Sequence, residues 1–103
     1  MPPREISFHR LAARELLKAR NWYARRSPRA ASSFVAAVQE ALGKIEEGPE
    51  RWPVYQRNYR WVRTIGFPYV IYFEELNQGD IFIMAVAHGR RRPGYWLRRS
   101  SRP

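Results

Sequence analysis

The chain has 103 residues, a formal net charge of +10 and an isoelectric point near 11.0. Its length allows one domain with one modest core, and the absence of cysteine excludes disulfides and thiolate metal sites. With 45% hydrophobic and 15% aromatic residues, the chain is too rich in core formers to be disordered. All but two of the 19 cations are arginine. Since arginine pairs bidentately with phosphate and carboxylate, this bias favours a polyanion or an acidic protein as the partner.

The sequence contains no pattern typical of a signal peptide, a membrane span or a metal site. Its first residues, Met1 to Glu5, lack an apolar core, and no apolar run approaches the roughly 20 residues that span a bilayer. Two histidines, His9 and His88, are too few to hold a metal ion without other ligands. We therefore expect a cytoplasmic protein with no membrane contact, no metal and no cofactor.

The first half of the sequence predicts a short strand followed by two helices. Ile6 and Phe8 alternate with polar neighbours, as in a strand over residues 4–8. Ser27 and Pro28 are a typical cap and first residue of a helix, while Gly48 and Pro49 end it. Two amphipathic helices joined by so short a link predict an antiparallel hairpin. Their apolar positions, spaced four, three and four apart, are Ala12, Leu16, Ala19 and Tyr23 in residues 9–26, and Phe34, Val38, Ala41 and Ile45 in the second helix.

The second half predicts a loop over residues 50–58 and then three strands, at 59–65, 69–75 and 80–88, separated by turn-forming segments. Residues 81–87 are all apolar, which indicates a central strand buried on both faces with the first strand beside it. The predicted fold class is α+β, in the order β-α-α-β-β-β, with a helical hairpin on one face of a small, mainly antiparallel sheet. We expect one domain over residues 1–97 and a disordered basic tail over 98–103.

The positive charge is concentrated in the predicted sheet. Residues 1–50 have a net charge of +3, whereas residues 51–103 have +7. If the helices cover one face of the sheet, the opposite face is expected to be open, with aromatic side chains among the arginines. Such a surface suits base stacking combined with phosphate pairing. The arginines expected to bind the target are Arg57, Arg60, Arg90, Arg91 and Arg92.

Two segments carry a resemblance to a known family. With the predicted order of elements, residues 66–73 (GFPYVIYF) and 85–93 (AVAHGRRRP) resemble the RelE/ParE superfamily of bacterial type II toxins. The resemblance implies a small growth-inhibiting toxin encoded beside an antitoxin that binds and neutralises it. RelE-like members cleave messenger RNA on the ribosome, and ParE-like members act on DNA gyrase. Because both chemistries occur on one scaffold, the fold alone does not choose between them.

The first interpretation is a metal-independent endoribonuclease. It needs a base for the ribose 2′-hydroxyl, a cation for the phosphate and an acid for the leaving oxygen. His88 at a strand end is the candidate base or acid, Arg63 the phosphate ligand, and Tyr95 a second proton donor. An arginine on this strand and a His or Tyr after the last strand resemble positions used by RelE-like nucleases.

The second interpretation, which we favour, is the ParE-like or plasmid-stabilisation branch. The lysine pair of some RelE-like nucleases has no counterpart in residues 57–63, and the HGRRRP run is more similar to ParE-type sequences. Here His88 is structural, with its ring under the C-terminal tail and bonded to a backbone carbonyl. A third alternative, a non-toxic nucleic-acid-binding module, would need stacking aromatics on the central strand, where Phe82 stands alone.

Overall fold

Two helices pack on one face of a five-stranded sheet in the computed structural model, which describes residues 4–100. The predicted α+β class and the order of the helices and long strands are confirmed, and one further strand is present. None of the helices in the described part of the chain is long and apolar enough to cross a membrane. The elements are β1 (Ile6–Phe8), α1 (Arg10–Ala24), α2 (Pro28–Glu47), β2 (Val54–Gln56), β3 (Tyr59–Arg63), β4 (Tyr69–Glu75) and β5 (Ile81–His88), with short 3₁₀ helices at Pro49–Arg51 and Asn77–Gly79.

The strands are arranged in the order β1-β5-β4-β3-β2. β1 pairs in parallel with β5, and the other neighbours are antiparallel. The expected pairing of the first strand with the last is thus confirmed. β5 is an interior strand, as its apolar run indicates, but β4 occupies the centre of the sheet. β3 is one strand from the edge, because β2 lies outside it.

The second strand was predicted as part of a loop, and this prediction is wrong. Val54 pairs with Arg60 and Gln56 with Tyr59, with an irregular register between them. β2 has only three residues, and the Val54 side chain is 51% exposed. So short and irregular a strand at the edge of a sheet buries no alternate side chains, so its sequence carries no strand periodicity.

Each α-helix begins after a residue whose side chain caps it. The Ser27 hydroxyl accepts a hydrogen bond from the Ala30 amide at 2.9 Å, and Pro28 is the first residue of α2, as predicted. α1 begins at Arg10 because Nδ1 of His9 accepts from the Leu11 amide at 3.0 Å. The side chains that α2 buries against the sheet are Phe34, Val38, Ala41 and Ile45.

A second apolar cluster covers the other face of the sheet, which the sequence led us to expect open. Trp96 is fully buried there, with its ring centroid 4.6 Å from that of Tyr72 and 5.0 Å from that of Tyr59. β5 supplies both clusters: Ile81, Ile83 and Val86 belong to the cluster under the helices, and Phe82, Met84 and Ala85 to the cluster around Trp96. The expectation failed because the chain after β5 folds back over this face.

The prediction of a disordered tail over residues 98–103 is wrong for Arg99. Its guanidinium lies 2.7 Å from a carboxylate oxygen of Glu15, and its side chain is 11% exposed. Burial of a paired charge orders this part of the chain. Residues 101–103, the rest of the predicted tail, lie outside the described residues.

Candidate functional site

Residues 89–100, called here the C-terminal segment, bring the predicted site residues back over the sheet. Backbone hydrogen bonds hold its turns: Gly89 donates to the carbonyl of Pro68 at 2.7 Å and Arg91 to that of His88 at 2.9 Å. Gly94 has φ +73°, and a Cβ atom there would lie 2.8 Å from a methyl carbon of Leu97. Both the backbone conformation and the close approach therefore require glycine at this turn.

The C-terminal segment is anchored to α1 by Glu15. One carboxylate oxygen of Glu15 accepts from the Tyr95 hydroxyl at 2.6 Å and from Arg99 at 2.7 Å. The other oxygen accepts from Arg99 at 3.1 Å and from the Val86 amide at 3.0 Å. A bidentate pair of this kind, with the Glu15 side chain 16% exposed, is geometrically specific.

This ion pair also completes the outer edge of β5. β1 ends at Phe8, opposite Ile83, and within residues 4–100 no strand pairs with this edge of β5 beyond that point. There the carbonyl of Met84 accepts from Arg99 at 2.9 Å, and the Val86 amide donates to Glu15. Two side chains thus satisfy backbone groups that a longer β1 would have paired.

The same contacts determine the protonation states in the network. Burial raises the pKa of Glu15, but the bonds from Arg99, Tyr95 and the Val86 amide outweigh it and leave that pKa below its usual value. Burial, together with the Glu15 carboxylate, raises the pKa of Tyr95 well above its usual value. Tyr95 therefore holds its proton toward Glu15.

His88 lies at the end of β5, where its ring contacts Tyr69 and its Nδ1 atom accepts a hydrogen bond. The imidazole meets the ring of Tyr69 edge to face, with centroids 5.1 Å apart. Nδ1 accepts from the Arg90 amide at 3.0 Å. The expected bond to a backbone carbonyl is thus wrong in its partner, because the ring accepts from an amide of the turn that follows the strand.

Arg63 and His88 leave the sheet on opposite faces. Arg63 pairs with Val70 and His88 with Tyr69, and these are adjacent residues of β4. Successive side chains of a strand point to opposite faces, so the imidazole lies on the helical side and the guanidinium on the other. Both residues nonetheless line one cavity of about 190 Å³ beneath the C-terminal segment, together with Tyr95.

The structure brings some of the predicted arginines together and separates others. Arg91 and Arg92 line the same cavity as Arg63, and Arg91 also lies over the Tyr95 ring at 3.8 Å from its centroid. Arg90 and Arg92 are exposed beside them. We call Arg63 and Arg90–Arg92 the basic patch.

The other two predicted arginines lie elsewhere. Arg57 is in the turn between β2 and β3, at the end of the sheet opposite the basic patch. The guanidinium of Arg60 donates to the carbonyls of Trp52 at 2.6 Å and Glu50 at 3.3 Å, so it holds the segment before β2 in place.

Sequence reasoning missed Glu15 and Arg99, the ion pair that joins α1 to the C-terminal segment carrying most of the basic patch. One signal was present: Glu15 is the sole acidic residue among the fifteen residues of α1, and it lies one turn before the buried Ala19. A lone acid at that position of a basic helix indicates a buried cationic partner. Within residues 4–100, no group of three or more His, Asp or Glu side chains is placed to hold a metal ion.

Comparison with known proteins gives a family and a fold relative. Residues 6–93 match the model of a family described as the ParE toxin of type II toxin-antitoxin system, parDE. A solved chain of the chromosomal ParDE TA system from P. aeruginosa superposes with a TM-score of 0.69 at 17% sequence identity, covering 82% of this chain and 95% of that one. At that identity the likeness shows a common fold. No curated protein matches the sequence.

Proposed function

Because this chain belongs to the ParE toxin family of type II toxin-antitoxin systems, we propose that it inhibits growth by acting on DNA gyrase and that a cognate antitoxin neutralises it. The protein works in the cytoplasm, where gyrase and its DNA are found. Its basic patch contacts the target, and the arginine side chains there serve binding rather than catalysis. The sheet, the helices and the Glu15–Arg99 pair hold that patch in position.

One observation supports the preference for gyrase over ribosome-bound RNA: Tyr95, one of the two candidate proton carriers, is already bonded to Glu15. Nδ1 of His88 accepts from a backbone amide, and the hydroxyl of Tyr95 donates to Glu15. Arg63 projects from the face of the sheet opposite to the His88 ring. A nuclease would need these three side chains to converge on one phosphate.

Labelling of macromolecular synthesis after induction distinguishes the candidate targets. We expect thymidine incorporation to fall first and the DNA damage response to appear, because a blocked gyrase leaves DNA torsionally strained or broken. Amino-acid incorporation should follow later. An immediate halt in protein synthesis would contradict action on gyrase, and unchanged growth would contradict the toxin function and favour a non-toxic nucleic-acid-binding module.

Removing charge from the basic patch should weaken the effect on gyrase. The double variant Arg90→Ala/Arg92→Ala is expected to need about tenfold more protein to inhibit supercoiling by purified gyrase, since it removes two exposed cations from a polar contact surface. The matched control is Arg51→Ala/Arg57→Ala, which removes two exposed cations from the end of the sheet opposite the patch. Equal inhibition by the two double variants would contradict a role for the patch.

A second candidate function, a metal-independent ribosomal nuclease, is favoured by the cavity that Arg63, His88 and Tyr95 share. It requires the Tyr95 hydroxyl to leave Glu15 when RNA binds. Purified protein added to translating ribosomes would then cleave the messenger, and Arg63→Ala would abolish cleavage while the fold is retained. The gyrase proposal predicts intact messenger with the unchanged protein.

The proposed antitoxin should be an acidic protein or carry acidic segments. The chain has a net charge of +10, and most of that charge is exposed, so complementary charge would steer association and fix the orientation of the complex. The solved relative is part of a ParDE TA system, which supports a heteromeric complex for this chain as well.

A further inference from the structure

A groove runs along α1, between this helix and the C-terminal segment. Three cavities follow one another there, with volumes of about 750, 520 and 370 Å³ from the beginning of α1 to its end. The first and second cavities share Leu11 and Arg99 in their linings, and the second and third share Lys18 and Arg91. The cavities therefore form one continuous depression, which we call the α1 groove.

Cations line both walls of the α1 groove. Those on the helix are spaced four residues apart, so their side chains lie on the same side of α1, about one turn from each other. All of the cations named below are exposed, and none of them pairs with a carboxylate within residues 4–100. They are Arg10, Arg14 and Lys18 on α1, and Arg91 and Arg98 on the C-terminal segment.

Little negative charge opposes these cations. Glu15 is the one acidic side chain among the lining residues that the structure describes, and Arg99 neutralises it through both carboxylate oxygens. The positive potential acts on His9, at the beginning of the groove. The pKa of His9 is lowered, first by burial and then by the positive charges of Arg99 and Arg10, although Glu15 acts in the opposite direction. The α1 groove therefore attracts anions.

The far end of the α1 groove offers aromatic surface. The cavity of about 370 Å³ at this end has the size of a small-molecule site. Trp22 in its wall is 45% exposed, even though the Arg26 guanidinium lies 3.3 Å from the centroid of the indole and Tyr23 meets the ring edge on. An exposed indole beside a cation-lined groove is a platform on which a planar ring can stack.

Three side chains that line this cavity can also donate hydrogen bonds. The hydroxyls of Tyr23 and Tyr69 and the Nε2 atom of His88 have no hydrogen-bond partner within residues 4–100. Burial is the main cause that raises the pKa of both tyrosines, so they keep their protons. Nδ1 of His88 accepts from the Arg90 amide, so in the neutral ring Nε2 carries the proton. Three donors suit the carbonyl oxygens and ring nitrogens of a nucleobase.

We propose that the α1 groove binds a single strand of DNA, with phosphates along α1 and one unpaired base in the cavity at its end. Cations repeated at each helical turn match a repeating anion, and the stacking surface and donors match a base. An acidic protein fits less well, because α1 exposes one large aliphatic side chain, Leu17, for a partner to bury. The choice of DNA over RNA rests on the proposed function, since gyrase acts on DNA. The groove adjoins the basic patch at Arg91.

Fluorescence anisotropy of a labelled oligothymidine of about ten nucleotides tests the contacts to phosphate. We expect Arg14→Gln/Lys18→Gln to bind it about tenfold more weakly than the unchanged protein, and with a weaker salt dependence, because two phosphate contacts are lost. The control Arg51→Gln/Arg57→Gln removes the same charge from exposed positions outside the groove. Its affinity should stay within about twofold of the unchanged protein.

The base site is tested separately at Trp22. Trp22→Ala should bind the oligothymidine about tenfold more weakly, since it removes the stacking platform, whereas Trp22→Phe keeps an aromatic ring and should stay within about threefold. A DNA duplex of the same length offers no unpaired base. The two Trp22 variants are therefore expected to bind the duplex equally well, which separates stacking from a general loss of affinity.

Several outcomes would overturn the proposal. Equal binding of the oligothymidine by the two charge variants, or by the two Trp22 variants, would exclude the groove or its base site. Displacement of the oligothymidine by polyglutamate of equal charge and concentration would show that the groove takes any polyanion. Tighter binding of oligouridine would assign the groove to RNA.

Inhibition of supercoiling by purified gyrase reports on the proposed function separately. If the unchanged protein inhibits gyrase without binding the oligothymidine, the groove proposal alone is overturned. If it binds the oligothymidine through the groove without inhibiting gyrase, the proposed function is contradicted and the nucleic-acid site stands.

Discussion

Replacing Trp96 with alanine is expected to lower the free energy of unfolding by about 3–5 kcal/mol, the usual loss when a large aromatic side chain is removed from a core. Trp96 is fully buried and touches the rings of Tyr55, Tyr59 and Tyr72. These contacts hold the C-terminal segment on the sheet. Urea denaturation followed by far-ultraviolet circular dichroism would measure the loss.

Trp96→Phe is the matched control. The indole nitrogen of Trp96 is buried and has no hydrogen-bond acceptor among the described residues. Replacement by phenylalanine therefore breaks no hydrogen bond and keeps most of the ring contact. We expect this variant to lose only about 1–2 kcal/mol, from the smaller volume. An alanine variant as stable as the phenylalanine variant would show that the second apolar cluster contributes little to folding.

The largest electrostatic effect is expected at Glu15. Glu15→Ala leaves the Arg99 guanidinium buried without its carboxylate and removes the acceptor of the Tyr95 hydroxyl and the Val86 amide. Breaking a buried pair from one side costs about 3–5 kcal/mol. Glu40→Ala is the control, because it breaks an exposed ion pair on α2 with Lys44 and should cost about 0.5 kcal/mol or less. Equal losses in the two variants would contradict the anchoring role of Glu15.

The contribution of Glu15 should also depend on pH in a defined direction. Its pKa in the folded protein is lower than the ordinary value of 4.5. The folded state therefore binds fewer protons than the unfolded state in this range, and stability rises with pH through it. The contribution of Glu15 to the free energy of unfolding is complete above the pKa that Glu15 has in the unfolded state. It is lost as pH falls through the lower pKa of the folded state. The difference in unfolding free energy between the unchanged protein and Glu15→Gln should shrink as pH is lowered from 7 toward 3.

The helices and long strands were predictable because each repeats a pattern that one face of the fold imposes. The spacing of Phe34, Val38 and Ala41 is that of one buried helical face, and these residues are buried. Residues 69–75 form β4 with the bounds predicted. β2 could not be predicted, because a three-residue edge strand with an exposed Val54 has no periodicity. β2 forms because β3 lies beside it and pairs with it.

The candidate site was predictable in composition but not in arrangement. From the sequence we expected Arg63 and His88 to act together, yet they pair with adjacent residues of β4, which directs their side chains to opposite faces of the sheet. Arg99 was taken for a tail residue because nothing in the sequence around it marks it as the partner of Glu15, 84 residues earlier. Contacts over such distances follow from packing, which the order of residues along the chain does not display.

The parallel pairing of β1 with β5 also determines when the fold can be completed during synthesis. Ile6 pairs with Ile81, and Arg4 donates to the carbonyl of Gly79, 75 residues later. The helical hairpin is built from local contacts and can form early, whereas the sheet closes only after β5 has left the ribosome. The C-terminal segment that carries most of the basic patch emerges later still. A nascent chain therefore lacks a complete basic patch until translation has almost ended.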